Sequence, residues 1–421
     1  MKESIYNIIK QEEQDLIIYN VGSAGVLKLN KEYAQAYQDF IENGTTQKLD
    51  LLEALKQGGL LVEDDLDEIK NLQIQSLVNR YNSNNLTLTI APTMECNFKC
   101  TYCYEDGYRK NRMNYEVQQE VIRFIKKHSF GCSSIGISWY GGEPLLALDE
   151  IENMTNSIRT ITNDNIAYYA SIVTNGYYLT KKNVEKLKEL KIERVQVTID
   201  GPRSIHDSRR LLYNGEGTFD RIINNIKDVC LDIPIVIRIN VDKTNINHTY
   251  ELLNYIEECN LKGKVSLYLA PVDDINNGCI ESSCMTISDF SVEEIKFQLE
   301  ALNKGFKIGL IPSCNPSICG AVSSNSYVID PKGDLYKCWN HIGREEERVG
   351  SILHNSFTHN IYKWLLYDPF SNEDCTNCIV LPACMGGCPY HKLTTKNSKC
   401  KSIKYNALDT LELVKVAKCI H

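Results

Sequence analysis

From Leu86 onward the chain alternates between short apolar segments and amphipathic ones, and this limits its fold more than any other feature. Leu86 to Ala91, Ser134 to Trp139, Ile166 to Thr174, Arg194 to Ile199, Pro234 to Val241 and Lys264 to Ala270 are strand-like. Helical periodicity fills the intervals at about Tyr115 to Lys127, Leu148 to Ile161, Lys181 to Leu190, Phe219 to Leu231 and Asn247 to Glu258, with another near Val292 to Asn303. Strands that are apolar along nearly their whole length are buried on both faces, as in a parallel sheet covered by helices. The expected fold class is α/β, with six β-α units curved into a partial, TIM-like (β/α)6 barrel. In such sheets the loops after the strand C-termini carry the chemistry.

Other segments flank this barrel, expected at 83–309. Three β-prone stretches, Ser4 to Ile9, Asp15 to Asn20 and Gly25 to Leu29, open the chain, with Gly22 and Gly25 as turn residues. Asn30 reads as an N-cap before helical periodicity in Tyr33, Ala36, Tyr37, Phe40 and Ile41, then in Leu49, Leu52 and Leu55, then from Leu66 through Leu77. These make a small strand-then-helix domain at 1–82. Past Leu310 the periodicity gives way to a Cys-, Gly- and Pro-rich region, 310–402, followed by a C-terminal helix within 403–421. Little in that region can fold on apolar burial alone, so it needs a metal or a cluster to hold it together.

Composition matters here for what it excludes. With 421 residues, 43% apolar and 24% charged, the chain is a globular protein, not a disordered or collagen-like one. A formal net charge of −8 argues against a dedicated nucleic-acid binder. No apolar run is long enough to span a membrane, and Met1-Lys2-Glu3-Ser4-Ile5-Tyr6 lacks the layout of a secretory signal, so the expectation is a cytoplasmic protein with no membrane partner. Seventeen cysteines are then anomalous, because cytosolic thiols do not usually build disulfide frameworks. Their spacing has to explain them.

The loop after the first barrel strand contains Cys96, Cys100 and Cys103, a C-x3-C-x2-C triplet. Three thiolates this close can each take one iron of a cube and leave the fourth iron for an exogenous ligand. A zinc site would want a fourth protein ligand nearby, and no His lies close in sequence. Trp139-Tyr140-Gly141-Gly142-Glu143-Pro144 ends the second strand, where paired glycines let backbone approach a ligand and an acid suits an ammonium. The same tetrapeptide could equally be a turn. Val173-Thr174-Asn175-Gly176 and Thr198-Ile199-Asp200-Gly201-Pro202 end the third and fourth strands, the latter continuing through His206 to Arg210. Arg238, on the buried fifth strand, needs a partner: a structural salt bridge or a carboxylate ligand.

The triplet, with Tyr102 just before its third cysteine, and the Gly141 to Pro144 segment resemble the signature of the radical SAM enzymes. The resemblance implies that Cys96, Cys100 and Cys103 are the catalytic ligands of a [4Fe-4S] cluster that binds S-adenosylmethionine and cleaves it to a 5′-deoxyadenosyl radical. It implies cofactor contacts from Tyr102, Gly141, Gly142, Glu143, Pro144, Asn175, Thr198, Asp200, Arg210 and Arg238. The later pattern of Cys319, Gly333, Cys338, Cys375-x2-Cys378-x5-Cys384-x3-Cys388 and Cys400 resembles the SPASM extension of the same superfamily. By that resemblance Cys375, Cys378, Cys384 and Cys400 hold one auxiliary [4Fe-4S] cluster. Cys319, Cys338 and Cys388 hold another, with Cys314 as the upstream candidate, for three clusters in all. Without Cys314 that cluster keeps an open iron that a substrate thiol could occupy. A zinc ribbon fits Cys375 and Cys378 but leaves the rest unexplained. Cys230 and Cys259 read as small apolar residues on helices, and Cys279 and Cys284 as exposed or mobile in a polar loop. Cys132 and Cys419 are the other two outside the ligand sets.

SPASM-bearing enzymes usually modify peptides. The first 82 residues resemble, in element order, a winged-helix-like PqqD-like domain that binds a leader peptide by adding a strand to its sheet edge. A structural cap on the barrel is the other reading. Anaerobic sulfatase maturases share these motifs but carry an Asp directly after the cysteine at the Cys338 position, where this chain has Trp339. The expectation is therefore a peptide maturase that forms a thioether between a Cys sulfur and a carbon of a ribosomally made peptide, as in sactipeptide or ranthipeptide synthases. A flavodoxin or ferredoxin would supply electrons. The alternatives are carbon–carbon or carbon–oxygen cross-linking, sulfatase maturation, a non-catalytic iron–sulfur electron-transfer scaffold, and a zinc-stabilised module.

Overall fold

The computed structural model describes residues 1–105, 107, 111–162, 165–275, 283–309, 314–395 and 399–419, the side chains of 414 and 417–419 excepted. Contacts gather the chain into two compact units: Met1–Tyr81 with Gly309–Cys319 and Tyr367–His421, and Asn82–Ile308 with Gly320–Leu366.

In the first unit β1 (Lys2–Glu3) pairs with β5 (Leu61–Val62), and β2 (Asn7–Glu12), β3 (Asp15–Asn20) and β4 (Val26–Leu29) form an antiparallel meander in that order. Helices α1 (Lys31–Asn43), α2 (Leu49–Gln57) and α3 (Glu68–Tyr81) complete its N-terminal part. Asn30 caps α1, its side chain accepting from the Tyr33 N–H at 3.1 Å. The run Leu16-Ile17-Ile18-Tyr19 is buried at every position because both faces of β3 are covered. Leu16 and Ile18 enter a core with Tyr37, Phe40, Leu51 and Leu55. Ile17 and Tyr19 point the other way and join Ile8 and Val21 to Val380, Ala383, Cys384, Ile403 and Leu411. Lys10 of β2 also pairs with Glu412. The C-terminal helix comes in two pieces, Ile403–Asn406 and Thr410–Cys419.

The compact units cut across the linear division at 82, 309 and 402. Residues of the expected cysteine-rich segment are shared between the units, because part of that segment completes the core under β3 while residues 320–366 extend the barrel sheet.

The second unit is built on one ten-stranded sheet. Its strands are β6 (Asn85–Thr93), β8 (Ser134–Gly141), β9 (Ala167–Thr174), β10 (Ile192–Thr198), β12 (Ile235–Val241) and β13 (Val265–Pro271), all parallel, as the alternation predicts. Two short strands, β7 (Phe98–Cys100) and β11 (Arg210–Leu212), pair with each other outside it. The helices are α4 (Tyr115–His128), α5 (Leu148–Thr162), α6 (Lys181–Glu189), α7 (Arg203–Arg209), α8 (Phe219–Val229), α9 (Thr249–Glu258) and α10 (Ile287–Asn303). The sheet is open and continues past β6 through β14 (Ser326–Ile329), which is parallel to β6, and then antiparallel β15 (Asp334–Tyr336), β16 (Gly350–Ser351) and β17 (Ser356–Phe357). A last helix, α11 (Asn360–Leu365), follows.

The β14–β15 turn is held by Asp330, whose carboxylate accepts from the Lys332 and Asp334 N–H groups, each at 2.9 Å. Burial raises the Asp330 pKa from 3.8 to about 6. A carboxyl raised in this way favours the folded state while protonated, so its contribution is full below about pH 3.8 and is lost as pH rises through about 6. Asp330→Asn keeps an acceptor and removes the ionisation. We expect wild type to lose roughly 2–3 kcal/mol relative to this variant between pH 4 and pH 7, read from paired urea melts. A pH-independent difference would remove Asp330 as the cause.

Candidate active site

The loop after β6 carries Cys96, Cys100 and Cys103, all half-buried thiols. Too short to show periodicity in sequence, β7 pairs antiparallel with β11 so that Arg210 stands opposite Cys100. The Thr101 N–H extends the pairing to the Arg209 carbonyl at 3.0 Å. The Cys96 sulfur accepts from the Phe98 N–H at 3.4 Å and from the Asn175 amide at 3.9 Å. Hydrogen bonds of this kind tune a cluster's ligands.

Gly141-Gly142-Glu143, at the end of β8, pack directly against the strand leading into the triplet. The Gly142 N–H donates to the Thr93 carbonyl at 3.2 Å, and the Glu143 N–H to the Glu95 carbonyl at 2.8 Å. A side chain at Gly142 would place its β carbon 2.4 Å from the Glu95 oxygen, which is why glycine is needed there. Glu143 is wholly buried, and its carboxylate accepts from the Thr174 hydroxyl (2.7 Å), the Asn175 N–H (2.7 Å) and the Leu145 N–H (3.0 Å). Burial raises its pKa in spite of these bonds. The acid expected to meet an ammonium thus clamps the ends of β8 and β9 together. Pro144 is buried and opens the short helix Pro144–Ala147.

Across the site a polar network centres on Tyr102. Its hydroxyl donates to Asp200 at 2.5 Å and accepts from Arg210 at 2.7 Å and from the Asn240 amide at 3.2 Å. Arg209, missed in the sequence reading, forms ion pairs with Asp200 (3.2 Å) and Asp242 (2.8 Å). Arg238 donates to the Asn240 side-chain oxygen at 2.7 Å, a partner on its own strand. Buried Thr198 lies beside Arg238 in the β10–β12 register. Each wall of the site therefore comes from a different strand end.

An aromatic series leads away from the triplet. Tyr104 follows Cys103 and shares a hydrogen bond with the Tyr140 hydroxyl; the Tyr140 ring stacks on Trp339 with centroids 5.5 Å apart. Trp339 adjoins Cys338, so the series runs between two cysteines singled out from sequence. Of the three rings only Trp339 stands out in the sequence, since tyrosines carry no spacing signal.

In the first unit Cys375 lies within electrostatic reach of Cys378, Cys384 and Cys400. Burial raises the Cys375 thiol, and the neighbouring charges of Cys384, Cys400 and Cys378 raise it further. Met385, Gly386 and Gly387, between Cys384 and Cys388, all have positive φ (51°, 80° and 82°). Cys314 is a half-buried thiol raised by burial. Cys314, Cys319 and Cys388 belong to this unit and Cys338 to the other. Cys284, expected exposed or mobile in a polar loop, is disulfide-bonded. Cys279, residues 276–282 and the side chain of Cys419 lie outside the described residues.

Among the described residues no group of three or more His, Cys, Asp or Glu is gathered tightly enough for a single metal ion. A cluster distributes its thiolates over several irons, so its ligands stand further apart than the sulfurs around one zinc. The triplet suits such a group: three soft donors, one backbone and one side-chain N–H on one sulfur, and a buried guanidinium opposite another. Arg210 Nε and Asp200 Oδ1 are buried without protein hydrogen-bond partners, which leaves polar atoms for a cofactor to meet.

This arrangement defines an α/β protein with a thiol-bearing polar site at its strand C-termini. The chain carries a radical SAM domain: residues 90–256 match the Radical SAM superfamily. A cysteine-type anaerobic sulfatase-maturating enzyme of Clostridium novyi (strain NT) is 27% identical to it over 358 residues, 76% of this chain and 94% of that one. The solved structure of native anSMEcpe with bound AdoMet matches with a TM-score of 0.62 at 21% identity, covering 79% of this chain and 99% of its own. That of Streptococcus suis SuiB matches with a TM-score of 0.53 at 17% identity, covering 92% and 95%. Among the described residues no helix is long and apolar enough to cross a membrane.

Proposed function

We propose that this radical SAM enzyme is a peptide maturase that forms thioether cross-links in a ribosomally made, cysteine-bearing precursor. The cluster-bound S-adenosylmethionine supplies a 5′-deoxyadenosyl radical able to take hydrogen from carbon. The chain's own residues hold the cofactor between the strand ends. Gly141 and Gly142 let the backbone approach, Glu143 locks two strand ends, and the Tyr102 network fixes the far wall.

The observation that carries the peptide cross-linking reading is Trp339. Where the sulfatase maturases carry an Asp, this chain has an indole stacked on Tyr140, which cannot accept a proton from a Cys or Ser side chain. An aromatic wall there suits an apolar peptide segment. A peptide partner is further supported by neighbours solved with peptides: SuiB with its precursor peptide SuiA, and anSMEcpe with the Cp18Cys peptide. SuiB also matches more of this chain than anSMEcpe does. The β2-β3-β4 meander leaves β2 and β4 as edges to which a leader could add a strand. Two auxiliary clusters, on the SPASM cysteines, and a flavodoxin or ferredoxin donor complete the proposal. Sulfatase-type maturation is the second reading, favoured by the similarity to the Clostridium novyi enzyme.

The test is anaerobic co-expression with a short cysteine-bearing peptide encoded beside the gene, followed by tandem mass spectrometry. Loss of two hydrogens per link, with thiols no longer alkylatable, supports thioether formation. Hydrogen loss with every thiol still alkylatable indicates carbon–carbon or carbon–oxygen chemistry, and loss of sulfur supports the sulfatase-type reading. Trp339→Ala is expected to lower product at least about tenfold while 5′-deoxyadenosine continues to form, because the substrate is misplaced and the radical source is intact. Equal loss of both would remove Trp339 from the substrate wall.

A further inference from the structure

Arg210 is a buried cation with no carboxylate of its own. It lies in β11 directly opposite Cys100, where the side chains of a cross-strand pair are neighbours. Its guanidinium sits 5.6 Å from the Phe98 ring centroid and donates to the Tyr102 hydroxyl at 2.7 Å. Arg209, the preceding residue, is neutralised by Asp200 and Asp242. Among the described residues no carboxylate comes within ion-pair distance of Arg210, and its Nε is buried without a hydrogen-bond partner. Asp200 bonds the same Tyr102 hydroxyl that Arg210 reaches, and its charge acts on Arg210 without forming an ion pair.

A guanidinium taken out of water needs an anion nearby, since leaving it uncompensated is strongly destabilising. Of the anionic groups acting on it, the Cys100 thiolate acts most strongly, ahead of Asp200, and with it the iron–sulfur group it would help to hold. The charge set around a cluster is one of the factors that fix its reduction potential. A fixed cation stabilises the state with one more electron.

We propose that Arg210 is an electrostatic tuning residue for the triplet cluster, its charge beside Cys100 raising the reduction potential so that a flavodoxin- or ferredoxin-class donor can deliver the electron. In that step the donor loses one electron and the cluster gains it; no proton moves and no bond is made or broken. The proposal rests on the assignment of the triplet as a cluster site. It gives Arg210 a role that exists before S-adenosylmethionine binds, distinct from a contact to that cofactor's carboxylate.

The test uses full-length protein reconstituted anaerobically as wild type, Arg210→Gln, Arg210→Met and Arg210→Lys. Methionine retains an apolar stem over Phe98, and lysine retains the charge. Each is titrated potentiometrically by electron paramagnetic resonance without S-adenosylmethionine. The cofactor is then added to show which signal belongs to the triplet, as the one that changes. The neutral variants are expected to make reduction about tenfold less favourable, equivalent to about 59 mV for a one-electron couple. Lysine should restore most of that change, and iron content should stay constant across the series.

An unchanged potential in a neutral variant of normal iron content overturns the proposal. If S-adenosylmethionine binding weakens while the potential holds, the anion served is the cofactor's carboxylate and the proposal fails. If both neutral variants lose iron while lysine keeps it at the native potential, the contrast supports a requirement for charge. Loss of iron in the lysine variant as well means Arg210 acts through shape, and the tuning role falls. Absence of any responsive signal in wild type rejects the triplet assignment itself, a separate failure.

Discussion

Cys100→Ala protein, reconstituted anaerobically and given S-adenosylmethionine and a reductant, is expected to form 5′-deoxyadenosine about 1,000-fold more slowly than wild type, or not at all. The magnitude follows from comparison with outer groups, since removing a side chain that merely supports a metal ligand costs about 10- to 100-fold. Asn175→Ala, which takes one hydrogen bond from Cys96 and leaves all three thiols, belongs in that lower range. Cys96→Ala and Cys103→Ala should match Cys100→Ala. The measurement is chromatographic quantitation of 5′-deoxyadenosine against iron content and visible absorbance. Survival of product formation in any one of the three variants would sink the assignment of the triplet.

Gly387→Ala is expected to remove roughly four irons per chain, one cluster's worth, and to lower the thermal midpoint by several degrees. Gly387 ends the positive-φ run that brings the chain from Cys384 to Cys388. A left-handed backbone costs an L-residue about 1–2 kcal/mol. The larger effect is steric, because the added β carbon would lie 2.0 Å from the Lys399 carbonyl oxygen, a backbone atom that no side-chain rotation can move. The Lys399 to Cys400 segment would be displaced, and with it a proposed ligand. Iron analysis with Mössbauer spectroscopy reads the loss. Full iron content in a folded variant would show that Cys400 is not a ligand or that the loop relaxes elsewhere.

The six parallel strands and their helices were legible because each is long enough to show its period and because Val, Ile and Leu crowd the strands. The cysteines proposed as cluster ligands stand out in the sequence by their spacing. Much of what braces them does not. Phe98–Cys100 and Arg210–Leu212 are three-residue strands whose pairing depends on the whole barrel bringing them together, so Arg210 opposite Cys100 is a tertiary fact. Glu143 read as an acid suited to an ammonium, and the three internal donors to its carboxylate have no sequence signal, because burial of its loop decides them. The pairing of β14 with β6 joins residues more than two hundred positions apart, and nothing local to Ser-Tyr-Val-Ile reports it. Leu16 to Tyr19 read correctly as a strand, but a continuous apolar run does not say what covers each face.

That two-faced strand bears on how the protein is made. Its second core, in which Ile17 and Tyr19 meet Val380, Ile403 and Leu411, is available only after some four hundred residues have been synthesised. Until then Ile8, Ile17, Tyr19 and Val21 leave the ribosome with half of their shelter missing, and closing so long a loop is entropically slow. That second core is consequently completed late, although the core of Leu16 and Ile18 with Tyr37, Phe40, Leu51 and Leu55 is translated first. The N-terminal segment is a poor candidate for expression by itself, since an excised 1–82 fragment would present that apolar face to water and aggregate.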